Sequence, residues 1–244
     1  MATFSVADHA HMARALQLAE RGLYTTTPNP RVGCVIVRDG VVVGEGWHEV
    51  AGGPHAEVHA LAQAGENARG ATAYVTLEPC SHHGRTPPCA DALVQAGVIR
   101  VIAAMEDPNP LVAGSGLRRL HEAGVAVASG LLQAQAEALN PGFIRRMRDE
   151  RPHVRCKLAM SLDGRTAMAS GESKWITGSA AREDVQRLRA RSCAIITGIG
   201  TVLADDPNLT VRFPLPGGRE RQPLRVVLDP HLSMPEDARL LKQP

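Results

Sequence analysis

Pro54-His55-Ala56-Glu57, followed after a gap by Glu78-Pro79-Cys80 and then Pro88-Cys89, constrains this chain more than any other feature. One imidazole and two thiols make a set of three zinc ligands. Three protein ligands leave a fourth tetrahedral position for water, which separates a catalytic zinc site from a structural one. A zinc ion so held lowers the pKa of its water from about 15.7 to about 7. Glu57 lies two residues from the histidine, with a carboxylate suited to carrying protons rather than to binding metal. The bland alternative is two core cysteines and a surface histidine. Three ligands in this order, each preceded by a proline and each near a helix start, weigh against it.

The 244 residues suit one large or two modest domains. Aromatic residues make up only 3% of a chain that is 44% hydrophobic, so its cores must be aliphatic. A formal net charge of +2 is too small to argue for nucleic acid. Nor is there an aromatic stacking platform or basic groove for RNA or DNA. The densest basic stretch, Arg145 to Arg151, is broken by Met147, Asp149 and Glu150 and reads as a solvated linker or helix end. Cys34, Cys156 and Cys193 fall in apolar strand-like runs and are expected to be small buried hydrophobes. No signal core and no run near 18 apolar residues occurs, so a reducing cytoplasm is the expected compartment, with no membrane partner.

Asp8 reads as the N-cap of a first helix with Met12, Leu16, Ala19 and Leu23 on its apolar side. Gly33 to Val37 and Val41 to Val43, joined at Asp39-Gly40, predict a hairpin with a type I′ turn. A helix from about His55 to Ala64, a strand over Ala73 to Leu77 and a helix over Ala90 to Ala96 closed by Gly97 follow. Next come a strand over Ile99 to Ala104, a loop at Asp107-Pro108-Asn109-Pro110, a helix near Leu117 to Glu122 and a strand near Val125 to Ala128. Ligands at strand ends and helix starts fit a three-layer α/β domain. The pattern restarts after Arg145 to Pro152. Strands are expected near Val154 to Met160, Ala194 to Gly198 and Leu224 to Asp229, with a helix near Ala180 to Arg191. Pro214-Leu215-Pro216-Gly217-Gly218 reads as a surface loop.

H-x-E followed by P-C-x-x-C is the pattern of zinc-dependent nucleobase deaminases. Here the eight residues Ser81 to Pro88 separate the cysteines. The stretch from Pro79 through Ser81-His82-His83-Gly84-Arg85-Thr86-Pro87-Pro88 to Cys89 resembles the deaminase of the bifunctional riboflavin-biosynthesis deaminase–reductase family. Thr27-Pro28-Asn29-Pro30-Arg31-Val32-Gly33 resembles that family's substrate loop. Ser161 to Ala167, Ser173-Lys174-Trp175-Ile176-Thr177 and Leu203 to Thr210 resemble the start of its reductase. The resemblance implies a cytidine-deaminase-like domain over 1–149, then a dihydrofolate-reductase-like α/β domain over 150–244. It implies zinc on His55, Cys80 and Cys89, and Glu57 as proton carrier. Asn29, His48, Arg85, Asp107 and Asn109 would contact a phosphoribosyl aminopyrimidine.

The same resemblance implies NADPH at Ala159, Trp175, Thr201 and Asp205, and reductase substrate at Ser173, Arg189, Leu209 and Arg212. Gly198-Ile199-Gly200-Thr201 alone lacks Rossmann spacing and could not support a nicotinamide site. The family's reductase runs beyond this length, so residues 150–244 are expected to be only its N-terminal part, and the chain is expected to deaminate without reducing. Assembly into homo-oligomers is left open. His82 and His83 read as loop residues near the substrate. Two rivals remain: a deaminase of free nucleosides or tRNA, and a non-catalytic zinc-folded module, which would have no need of Glu57.

Overall fold

Two apolar faces of one sheet decide the architecture of the first half of the molecule. The computed structural model describes residues 3–82, 87–110, 112–212, 214 and 221–243. It divides into two compact units, Met1–His153 and Val154–Pro244. In the first, β1 (Gly33–Arg38), β2 (Val41–Trp47), β3 (Thr72–Val75), β4 (Arg100–Ala103) and β5 (Ala126–Ser129) form a sheet in the order β2-β1-β3-β4-β5. β1 runs antiparallel to β2 and β3, whereas β3, β4 and β5 are parallel. Asp39 and Gly40 both take positive φ (51° and 76°), as a tight hairpin turn requires.

Alternate residues of the central strands point to opposite faces, so each face needs its own cover. Cys34, Ile36, Ala73, Val75, Val101 and Ala103 pack under α2 (Ala56–Ala64), α3 (Cys89–Gln95) and α4 (Ser115–Glu122). Val35, Val37, Tyr74 and Ile102 pack under α1 (Val6–Glu20), α5 (Gln133–Leu139) and α6 (Pro141–Asp149). The result is the expected three-layer α/β arrangement. The layers meet closely where side chains are missing: a Cβ on Gly44 or Gly46 would collide with the carbonyl of Ala60 or Ala56 on α2. That close approach sets the height of the α2 N-terminus over the sheet.

Ser5, not Asp8, is the N-cap of α1. Its hydroxyl oxygen accepts the Asp8 N–H at 3.1 Å, while the Asp8 carboxylate accepts the Ser5 N–H at 2.8 Å, a reciprocal capping box. The sequence reading chose the more acidic of two capping residues three positions apart. The basic stretch from Arg145 onward is the body and end of α6 rather than a linker.

In the second unit α7 (Ser179–Arg191) precedes two parallel strands, β6 (Ala194–Gly198) and β7 (Leu224–Leu228), with α8 (Ile199–Asp205) between them. Val202, Ala238 and Leu240 form its described core cluster. Two expectations fail here. Residues 154–160 form no strand; alternation alone makes no strand without a hydrogen-bonding partner. Cys156 and Cys193 are exposed, because one lies on that unpaired segment and the other just ahead of β6; only Cys34 of the three is buried. The 214–218 loop lies largely outside the described residues.

Candidate active site

The three candidate metal ligands come from the ends of three elements. His55 is the N-cap of α2, Cys80 follows β3, and Cys89 is the first residue of α3. The His55 Nδ1 lies 3.3 Å from the Cys89 Sγ and 3.6 Å from the Cys80 Sγ. All three donor atoms fall within 4.8 Å of one another. With Zn–N near 2.05 Å and Zn–S near 2.3 Å, a tetrahedral centre places N and S about 3.6 Å apart. The donor set therefore fits zinc in both chemistry and spacing. The Cys89 N–H donates to the Cys80 Sγ at 3.3 Å, as helix starts favour thiolate.

Two thiols so close cannot both ionise unaided. A hydrogen bond from the Cys89 thiol, with help from His55, pulls Cys80 down to about 4. The Cys80 sulfur and burial together push the Cys89 thiol up. A dication between them takes the place of the retained proton.

Glu57 sits in the first turn of α2 and is only 3% exposed. Burial raises its carboxyl pKa to about 7, although His55 pulls the other way. A carboxyl so placed can hold or release a proton at neutral pH. His48 is buried as well; burial lowers its pKa against the pull of the Pro54 carbonyl. Its Nδ1–H donates to that carbonyl at 2.9 Å, which leaves Nε2 to accept the Asn29 Nδ2–H at 3.2 Å. The Asn29 Oδ1 is thereby left free to accept. Asn140, buried at 2% exposure, fixes the same loop: its side chain bonds the Arg31 N–H at 2.7 Å and the Arg31 carbonyl at 2.9 Å.

These groups open on one cavity of about 260 Å³. Asn29, His48, His55, Glu57, Cys80, Asp107 and Asn109 all line it, so seven of the residues singled out from sequence converge there. His82 is on the wall too; Arg85 and His83 lie outside the described residues. Burial raises the Asp107 carboxyl, and its Oδ1 accepts the Asn109 N–H at 2.9 Å.

The sequence reading missed Glu78, Phe143 and Met147, which complete the wall. Glu78 accepts four backbone N–H groups, from Asp107 (2.9 Å), Gly114 (2.9 Å), Gly116 (2.7 Å) and Leu117 (3.2 Å). At 5% exposure its carboxylate needs partners, and these backbone N–H groups supply them. Phe143 and Met147 belong to α6, which gave no local sign of facing a pocket.

The second unit holds the remaining expected site residues. Arg189 is half-buried; burial, then the Arg212 charge, lowers its pKa. Its Nη1–H donates to the Thr210 carbonyl at 3.0 Å, and the Arg212 N–H to Gln186 Oε1 at 2.8 Å. Arg189, buried Leu209 and Arg212 thus share one region. Ser173, Thr201 and Asp205 are exposed, and the Trp175 ring, 73% exposed, lies 4.5 Å from the Arg182 guanidinium. Among the described residues no hydrogen bond joins Ala159, Trp175, Thr201 and Asp205.

Comparison with known proteins agrees with the two-part organisation. Residues 5–105 match the cytidine and deoxycytidylate deaminase zinc-binding region, and residues 152–244 match the RibD C-terminal domain. The riboflavin biosynthesis protein RibD of Escherichia coli is 61% identical over 97% of this chain and 67% of its own length. That of Haemophilus influenzae is 62% identical over 94% of this chain and 64% of its own. The chain thus spans about two thirds of the length of these relatives. The solved structure of Acinetobacter baumannii RibD superposes with a TM-score of 0.93 at 58% identity, over 98% of this chain and 67% of that one. A Thermotoga maritima diaminohydroxyphosphoribosylaminopyrimidine deaminase/5-amino-6-(5-phosphoribosylamino)uracil reductase does so at 0.89 and 41%, over 97% and 67%. A cytidine-deaminase-like α/β domain followed by a dihydrofolate-reductase-like one is the fold these matches share, and the chain belongs to the RibD family of riboflavin biosynthesis proteins.

Proposed function

We propose that residues 1–149 carry out the hydrolytic deamination of 2,5-diamino-6-(5-phosphoribosylamino)pyrimidin-4-one to 5-amino-6-(5-phosphoribosylamino)uracil, in riboflavin synthesis. The observation that carries this is Glu57: a buried carboxyl beside a His55–Cys80–Cys89 donor set, lining a cavity that Asn29, His48, Asp107 and Asn109 also line. Zinc, when bound there, supplies a water of lowered pKa as the nucleophile. Glu57 accepts the proton that this water gives up and delivers it to the ring nitrogen. It then carries a second proton to the departing amine, so that water is consumed, ammonia leaves and a carbonyl remains on the ring. Asn29, held by His48, presents an acceptor to the pyrimidine, and Asp107 and Asn109 hold the ring and ribose. Arg85 is assigned to the phosphate.

Residues 150–244 are assigned to the reductase part of the family, which reduces the ribosyl chain with NADPH. Arg189 and Arg212 are the cations suited to a substrate phosphate, with Ser173 and Leu209 beside them in the assignment. Ala159, Trp175, Thr201 and Asp205 are the positions assigned to that cofactor.

The test is ammonia release from a panel comprising the phosphoribosyl diaminopyrimidinone, cytosine, adenine and guanine nucleosides and a tRNA anticodon stem. Turnover confined to the first supports the assignment. Preference for a nucleoside or tRNA, or zinc binding with no turnover, would favour one of the rivals.

A further inference from the structure

Glu78 lines the same cavity as His55 and Cys80, and the proposed mechanism gives it no task. Its two oxygens divide their work. Oε1 accepts the Gly116 and Leu117 N–H groups at the start of α4, at 2.7 and 3.2 Å. Oε2 accepts the Asp107 and Gly114 N–H groups, at the two ends of the loop that carries Asn109, both at 2.9 Å. The α4 start is also locked to the cysteine segment. A Cβ on Gly116 would collide with the Pro79 carbonyl, the Ser81 and Ser115 hydroxyls lie 2.7 Å apart, and an Arg119 Nη1–H donates to the Ser81 carbonyl at 3.2 Å. One carboxylate therefore ties the loop bearing Asp107 and Asn109 to the turn bearing Cys80.

We propose that Glu78 is a positioning residue, fixing the distance from the Asp107–Asn109 loop to the metal ligands and thereby the depth at which substrate is held. The inference rests on the assignment of Asp107 and Asn109 as substrate contacts. Glu78→Gln isolates the effect: an amide keeps one acceptor oxygen for α4 but turns an NH2 toward the Asp107 and Gly114 N–H groups. Donors then face donors, and the loop must move.

Hydrogen exchange, zinc content and steady-state kinetics test this on the full chain. Glu78→Gln should keep about one zinc and unchanged exchange across residues 56–64, yet exchange faster at Asp107 and Gly114. KM should rise roughly 10-fold, the equivalent of about 1.4 kcal/mol, with kcat within about three-fold, as lost positioning in both ground and transition state requires. In an Asn109→Ala background the same substitution should add little to KM. Unchanged exchange at Asp107 and Gly114, an unchanged KM, or an equal KM increase in both backgrounds would overturn the proposal. If Glu78→Gln does not fold, the unaltered protein decides: slow exchange at these two amides, although they lie in irregular backbone, is expected, and fast exchange overturns the clamp. Absence of wild-type turnover would sink the functional reading instead, leaving the exchange result standing on its own.

Discussion

At the scale of single residues, binding and chemistry separate cleanly. His55, Cys80 and Cys89 surround one point, whereas Glu57 lies beside them as a buried carboxyl. Purified protein should hold about one zinc per chain, because a thiolate–imidazole set selects that ion. A Cys80→Ser, Cys89→Ser double variant should lose it; stoichiometric zinc in that variant, measured by atomic emission, would rule out the ligand set. Glu57→Gln should keep the metal and lose the proton carrier. General acid–base groups contribute roughly 10²–10⁴-fold, so ammonia release should fall by at least about 100-fold. Near wild-type release would place the proton shuttle elsewhere. These four residues were readable from sequence because ligand chemistry restricts residue type. Glu78 was not, because nothing about its type tells that its partners are backbone amides 29 to 39 residues away.

At the scale of elements, the packing of α1 shows what a local pattern omits. Asp8, whose side chain is 6% exposed, accepts the Tyr74 hydroxyl at 2.8 Å and an Arg100 N–H at 3.0 Å, which ties α1 to β3 and β4. Burial alone would raise its pKa. Hydrogen bonds from the Ser5 N–H, the Tyr74 and Ser5 hydroxyls and Arg100 outweigh that and lower it from 3.8 to about 2. A depressed folded pKa gives stability that is complete above pH 3.8 and is lost as pH falls through about 2. The contribution is about 2 kcal/mol. Urea unfolding of the first unit at pH 6 and pH 2 should therefore show a smaller pH-dependent loss in Asp8→Asn than in wild type; equal losses would mean that Asp8 is not responsible. The helix itself was legible from its apolar spacing, and so were β6 and the hairpin, whose turn residues and alternation are local facts. The segment 154–160 was misread because its alternation is also local, while strand formation depends on a partner. The buried Asp8–Tyr74–Arg100 contacts join residues 66 and 92 positions apart, beyond any local pattern.

At the scale of the whole molecule, the two units differ in how much apolar surface they hide. The first encloses both faces of a five-stranded sheet, with Ile36, Ile102, Leu93 and Leu120 fully buried. The second carries a two-stranded sheet, on which Ile196, Leu224 and Leu228 are 63%, 68% and 62% exposed. Val154 and Leu158, at 77% and 68%, add to that surface. Val227 of β7 packs on the small Val202–Ala238–Leu240 cluster, but two strands with so little covered apolar area are marginal in water, since buried apolar area is the main source of stability. Local opening should accordingly begin in the second unit. Hydrogen exchange followed by mass spectrometry, at rising urea, should show amides of β6, β7 and α7 opening below the concentration that exposes β1, β3 and β4. A chelator should lower the midpoint of the first set without moving the second, since a ligand stabilises only the part that binds it. A single midpoint for both sets, shifting together when zinc is removed, would show instead that the chain folds as one cooperative body.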